Sequence, residues 1–93
     1  MPNTAVPTIR QGITMPFSPD HIEELNLLAL FNLSSGQEGI KVHQHSAAPE
    51  TVAAAERLYK KGLITQKDGG YLTSLGSETA EHTQKLLAIL SSA

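Results

Sequence analysis

The chain has 93 residues, enough for one small domain and too few for two. Hydrophobic residues make up 40% and aromatics 4%, so the core must be aliphatic, and the lack of cysteine excludes disulfides and thiolate metal sites. The formal net charge of −2 argues against a nonspecific nucleic-acid coat, no apolar run approaches the roughly 18 residues of a membrane span, and no secretory signal is visible, so a cytoplasmic protein is expected.

Residues 1–16, "MPNTAVPTIRQGITMP", hold three prolines and no apolar period, which predicts a flexible arm ahead of a domain over 17–93. Met15 is a candidate second start, with the domain opening at "MPFSPD". "SPDHIEELNLLALFNL" then predicts a helix. Ser18 suits the N-cap and Pro19 the first helical position, while Asp20, Glu23 and Glu24 sit where the helix dipole favours negative charge. Ile22, Leu25, Leu28 and Ala29 form one apolar stripe; Leu27, Leu30, Phe31 and Leu33 form another.

"SSGQEGIKVHQHSAAP" is ambiguous. Ser35 and Glu38 have capping-box spacing, which favours a helix over residues 36–46. Gly36 and Gly39 weaken that helix, and the alternation of Ile40 and Val42 with Lys41 and His43 leaves a short strand open. His43 and His45 would share one face of a strand, but no carboxylate or cysteine stands at a ligand spacing beside them, so no metal site is expected.

"PETVAAAERLYKK" predicts a helix opened by Pro49 and terminated by Gly62 in the left-handed conformation. Its inward stripe is Val52, Ala55 and Leu58, which leaves Glu50, Thr51, Ala53, Ala54, Arg57 and Lys61 facing outward. A hairpin follows. A three-residue loop of Lys67, Asp68 and Gly69 pairs Gln66 with Gly70, Thr65 with Tyr71 and Ile64 with Leu72, and so keeps Ile64 and Leu72 on one face. "SETAEHTQKLLAIL" predicts the last helix, capped by Ser77, with one stripe of Ala80, Thr83, Leu87 and Leu90 and a second of Leu86 and Ile89.

The fold expected is therefore mainly α with a small β-hairpin. "ETVAAAERLYKKGLI" followed by "GGYLTSLGSETA" resembles the third helix, wing and following turn of winged helix-turn-helix proteins of the MarR and PadR type, through Val52, Leu58, Gly62, Leu63, Ile64, Leu72, Thr73 and Gly76. The whole chain also resembles a small uncharacterised gammaproteobacterial family sometimes labelled as DNA-binding. The resemblance implies a winged helix with an extra C-terminal helix, and a transcriptional regulator that binds double-stranded DNA. On that reading Arg57 contacts guanine, Thr51 and Ala54 touch thymine methyls, and Lys41, Lys60, Lys61 and Lys67 contact phosphate.

Lys60 and Lys61 are equally good helix C-terminus chemistry, and the outward Glu50 and Glu56 repel phosphate. The alternative is an interaction module without direct DNA binding, whose smooth Ala53–Ala54 face packs on a protein. Both readings include a homodimer, because the first and last helices carry more apolar surface than one small core covers. Its expected interface is Leu27, Leu30, Phe31, Leu86, Ile89 and Leu90. No catalytic motif or phosphate loop is present, so neither an enzyme nor a cofactor is expected.

Overall fold

The computed structural model describes residues 15–35 and 38–92; of the expected arm, residues 1–14 lie outside the described residues. Three helices and a small antiparallel sheet follow one another as α1 (Pro19–Leu28), β1 (Ile40–Lys41), α2 (Pro49–Lys60), β2 (Ile64–Gln66), β3 (Gly69–Leu72) and α3 (Ser74–Ser91). The mainly helical class with a hairpin and a C-terminal helix is as the sequence predicts. The sheet has three strands rather than two, in the order β1-β3-β2.

α1 starts as read. The Ser18 hydroxyl accepts from the His21 amide at 3.1 Å, and His21 Nδ1 accepts from the Ser18 amide at 3.1 Å, a reciprocal cap in which histidine takes the usual place of glutamate. The helix ends at Leu28 instead of running on to Leu33. Two polar side chains stop it. Asn32 Oδ1 accepts from the Ser34 amide and hydroxyl at 3.0 and 2.6 Å. From α3, Gln84 Nε2 donates to the carbonyls of Leu28 and Phe31 at 3.2 and 2.7 Å, satisfying acceptors that a helix end leaves free. The buried face of α1 is Glu24, Leu27 and Leu28, continued by Phe31. Leu27 and Phe31 are thus core residues, which corrects their assignment to a dimer surface.

The helix expected over 36–46 does not form among its described residues. Ile40 pairs with Gly70 and Lys41 with Gly69, and the Val42 amide donates to the Asp68 carbonyl at 2.7 Å. Val42 is buried and Ile40 packs on the core. Extended backbone sends residues i and i+2 to one face, whereas a helix would turn them apart. The Cβ of any other residue at position 39 would stand 2.9 Å from the Gly70 carbonyl carbon, so Gly39 admits β3 to close range. A single turn at His43–Ser46 then leads to α2.

α2 ends in the predicted way. Gly62 has φ +79°, its amide donates to Tyr59 O, and the Leu63 amide donates to Leu58 O, both at 3.0 Å. In the hairpin, Ile64 faces Leu72 as predicted, but Gln66 faces Gly69, not Gly70. A bulge accounts for the difference: Gly70, at φ +78°, is the extra residue on β3, and the Tyr71 amide donates to Thr65 Oγ1 at 2.9 Å. The loop is Lys67–Asp68, and the bulge restores Ile64 and Leu72 to a common face.

α3 begins earlier than expected. Thr73 is its cap, not Ser77: Thr73 Oγ1 accepts from the Gly76 amide at 3.0 Å and donates to the Gly62 carbonyl at 2.6 Å, tying this helix start to the end of α2. Gly76 therefore lies within the first turn, where a Cβ would stand 2.8 Å from the Leu63 carbonyl carbon. Gly76, Ala80 and Thr83 form the buried face of α3. The core consists of these contacts together with Leu27, Leu28, Phe31, Val42, Ala54, Ala55, Leu58, Leu63 and Ile64.

Candidate functional site

Two surfaces were expected to carry function, the basic face of α2 with the wing, and the outer faces of the first and last helices.

The basic face is largely turned back on the protein. Arg57 Nε donates to Glu24 Oε2 at 2.7 Å, and its Nη2 donates to the Asp20 carbonyl at 3.2 Å. Asp20 Oδ1 lies 3.8 Å from the same guanidinium. Lys61 Nζ donates to the other oxygen of Glu24, which is 6% exposed and so bridges both cations from within the α1–α2 contact. Burial on its own would raise the Glu24 carboxyl; the hydrogen bonds from Lys61 and Arg57, with their charges, outweigh it and hold the group below its ordinary value. The hydrogen bond to Glu24 raises Arg57 in turn.

At the hairpin tip Lys41 pairs with Asp68, whose carboxyl is lowered chiefly by that bond. Lys60 and Lys67 are exposed and make no ion pair with another described residue. Thr51 is half-buried. Ala54 is completely buried, which corrects its outward placement and removes it both as a base contact and as part of a smooth docking face. The cause is that α2 is covered on two sides, by α1 and by the sheet, so both Ala54 and Ala55 face inward.

His43 and His45 are exposed in the turn after β1, and no group of three or more metal-ligating side chains occurs among the described residues. Among those residues no helix is long and apolar enough to cross a membrane.

The apolar face is different. Leu75, Leu86, Leu87, Ile89 and Leu90 of α3 are 54, 40, 52, 60 and 74% exposed. Leu87 and Leu90, expected on the inward stripe, stand in solvent because the buried face of α3 ends at Thr83. A shallow groove between α1 and α3 is lined by Ile22, Leu25, Ala29, Leu86, Leu87 and Leu90. Leu30 is also exposed, at the end of α1. Of the interface residues expected, Leu30, Leu86, Ile89 and Leu90 are therefore on the surface. Leu75 and Leu87 were missed, although a helix start at Thr73 puts Leu75 on the same side of α3 as Leu86. Glu24 was missed as a bridge, although Glu24, Leu27, Leu28 and Phe31 fall at i, i+3, i+4 and i+7, which sets a carboxylate on an apolar stripe.

The fold and these surfaces define a small helical domain with a three-stranded sheet and an apolar terminal helix. The chain belongs to the family DUF5669, a family of unknown function, whose model matches residues 15–91. No curated protein and no solved structure matches the chain.

Proposed function

We propose that this protein is an interaction module that works through α3, with a second copy of the chain as its first partner. The observation that carries the reading is the exposure of "LLAIL", residues 86–90, on the last turns of α3. A helix apolar all round is normally covered. Leu75, Leu86, Leu87, Ile89 and Leu90 together leave roughly three whole aliphatic side chains in water, each worth about 1.5–3 kcal/mol on full burial. Burial in two copies then offers about 9–18 kcal/mol against an association cost of about 4–15 kcal/mol. The expected dimer is weak to moderate, at the small end of specific interfaces.

The test is sedimentation equilibrium on the wild type and on Leu86→Glu with Ile89→Glu. The wild type should dimerise with a dissociation constant on the order of micromolar, and the variant should remain monomeric with an unchanged helical spectrum. A wild type that stays monomeric to roughly millimolar concentration refutes the reading.

A DNA-binding regulator of winged-helix type is the second reading. It is favoured by the order helix, strand, helix and hairpin and by the free Lys60 and Lys67. Against it, Arg57, Lys61 and Lys41 each hold a carboxylate that phosphate would have to displace. Duplex binding at low salt that weakens steeply with added salt would support it; no retardation of duplex DNA at low salt would exclude it.

A further inference from the structure

Along α3, Leu75, Thr79, His82, Leu86 and Ile89 follow one another at alternating intervals of four and three residues. That spacing is a coiled-coil seam, and over this stretch it runs about 21 Å. Leu75, His82, Leu86 and Ile89 are exposed and Thr79 is half-buried, so the seam is open along its length. One flank of the seam is closed by the protein's own fold, where Gly76 and Thr83 are buried. The other flank carries Glu78 and Lys85, both exposed and neither in an ion pair with another described residue.

The geometry points to an antiparallel pairing of α3 with α3 of a second copy, with the twofold axis between Thr79 and His82; this rests on the reading of α3 as the docking surface. About that axis, Leu75 meets Leu86 of the second copy and Thr79 meets His82, the alternate seam positions that an antiparallel pair sets opposite each other. Glu78 then comes beside Lys85 of the second copy, and the symmetry repeats the pair. Opposite charges placed on either side of the axis on the one open flank are what a self-complementary, closed interface requires. A parallel pairing would set Glu78 against Thr83 of the second copy, which is buried in its own core. The antiparallel register alone satisfies both flank charges.

The chain contains no cysteine, so each introduced thiol is unique. Leu75→Cys and Leu86→Cys are made singly and exposed to a mild oxidant. Each alone should remain uncrosslinked, because like positions lie about 16 Å apart along the paired helices, and a mixture of the two should give the crosslinked heterodimer. Efficient self-crosslinking of Leu75→Cys or Leu86→Cys, or none between the two, overturns the register.

A second arm uses charge and leaves the core untouched. Glu78→Lys and Lys85→Glu should each weaken the dimer by about tenfold, and the two together should restore it. Failure of the double variant to recover overturns the pairing. Sedimentation of the wild type separates the two claims: a monomer removes both, whereas a dimer that fails the crosslinking or charge arms removes only the antiparallel seam.

Discussion

Replacing Glu24 by glutamine tests the centre of the α1–α2 contact. The substitution keeps the size and one acceptor of the side chain and removes its charge. In the wild type one buried carboxylate accepts from Arg57 at 2.7 Å and from Lys61. Hydrogen bonds to charged groups are worth about 1.5–3 kcal/mol each. Here the discount is large, because the Arg57 and Lys61 side chains are 28 and 48% exposed, and water takes over part of what the carboxylate supplied. The expected loss is about 1–2 kcal/mol, or a fall in Tm of about 4–15 °C for a chain of this size. The measurement is urea and thermal unfolding of both proteins as a function of pH.

The sign follows from the direction of the Glu24 shift. Its folded value is depressed, so its contribution is fully present above the unfolded value near about 4.3 and is lost as pH falls through the lower folded value. The gap between wild type and Glu24→Gln should hold at neutral pH and close as acid protonates the wild-type carboxylate. Equal stability at neutral pH, or a gap that persists undiminished once that carboxylate is protonated, would refute the account of Glu24 as a charged bridge. The same variant bears on function. It releases two cations on α2, so a DNA-binding protein should gain duplex affinity, while an interaction module should gain none.

Two further substitutions probe the frame around α3. Gly76→Ala forces a methyl group against the Leu63 carbonyl and should cost at least about 1–3 kcal/mol in urea unfolding, opposite to the gain expected of Gly→Ala in a free helix; a stabilised variant would show that the α3 start is not so closely packed. Gln84→Ala leaves the Leu28 and Phe31 carbonyls without their donor and should destabilise by about 1–2 kcal/mol, with faster amide exchange at the end of α1, and unchanged exchange there would remove Gln84 as its cap.

Features that depend on neighbouring residues were legible in the sequence. Ser18 and Pro19 start α1 where the local chemistry puts them, and Gly62 ends α2 because the left-handed turn after a basic C-terminus has few alternatives. The outer hairpin pair, Ile64 with Leu72, follows from burial alone. What was misread depended on long-range partners. Ser77 reads as the cap until Leu63 is known to pack on Gly76, which sets the helix start at Thr73. Ala54 looks free when only one helix face is assumed to be covered, and α2 has two covers. The strand at Ile40 needs β3 as a partner, and β3 is offered by Gly69 and Gly70, residues that read locally only as turn formers. Arg57 and Lys61 read as a basic face because their neutralising carboxylate lies on another helix, although Glu24 gave notice by interrupting an apolar stripe.

On α2 the residues chosen for their chemistry are committed to the fold: Arg57 and Lys61 to Glu24, and Ala54 to the core. On α3 the pattern is reversed. Its buried face uses small residues, Gly76, Ala80 and Thr83, so the helix lies close against the sheet and α1 without lending much volume to the core. Its large side chains, Leu75, Leu86, Leu87, Ile89 and Leu90, are left in solvent. Folding of the single chain gains little from those five residues, and their exposure favours association with other apolar surfaces. A helix that needed only to complete this monomer would keep the small residues at 76, 80 and 83, where α3 packs closely, and would carry charge at 86, 89 or 90. This helix carries leucine and isoleucine there instead, which favours association through α3 over contact through α2.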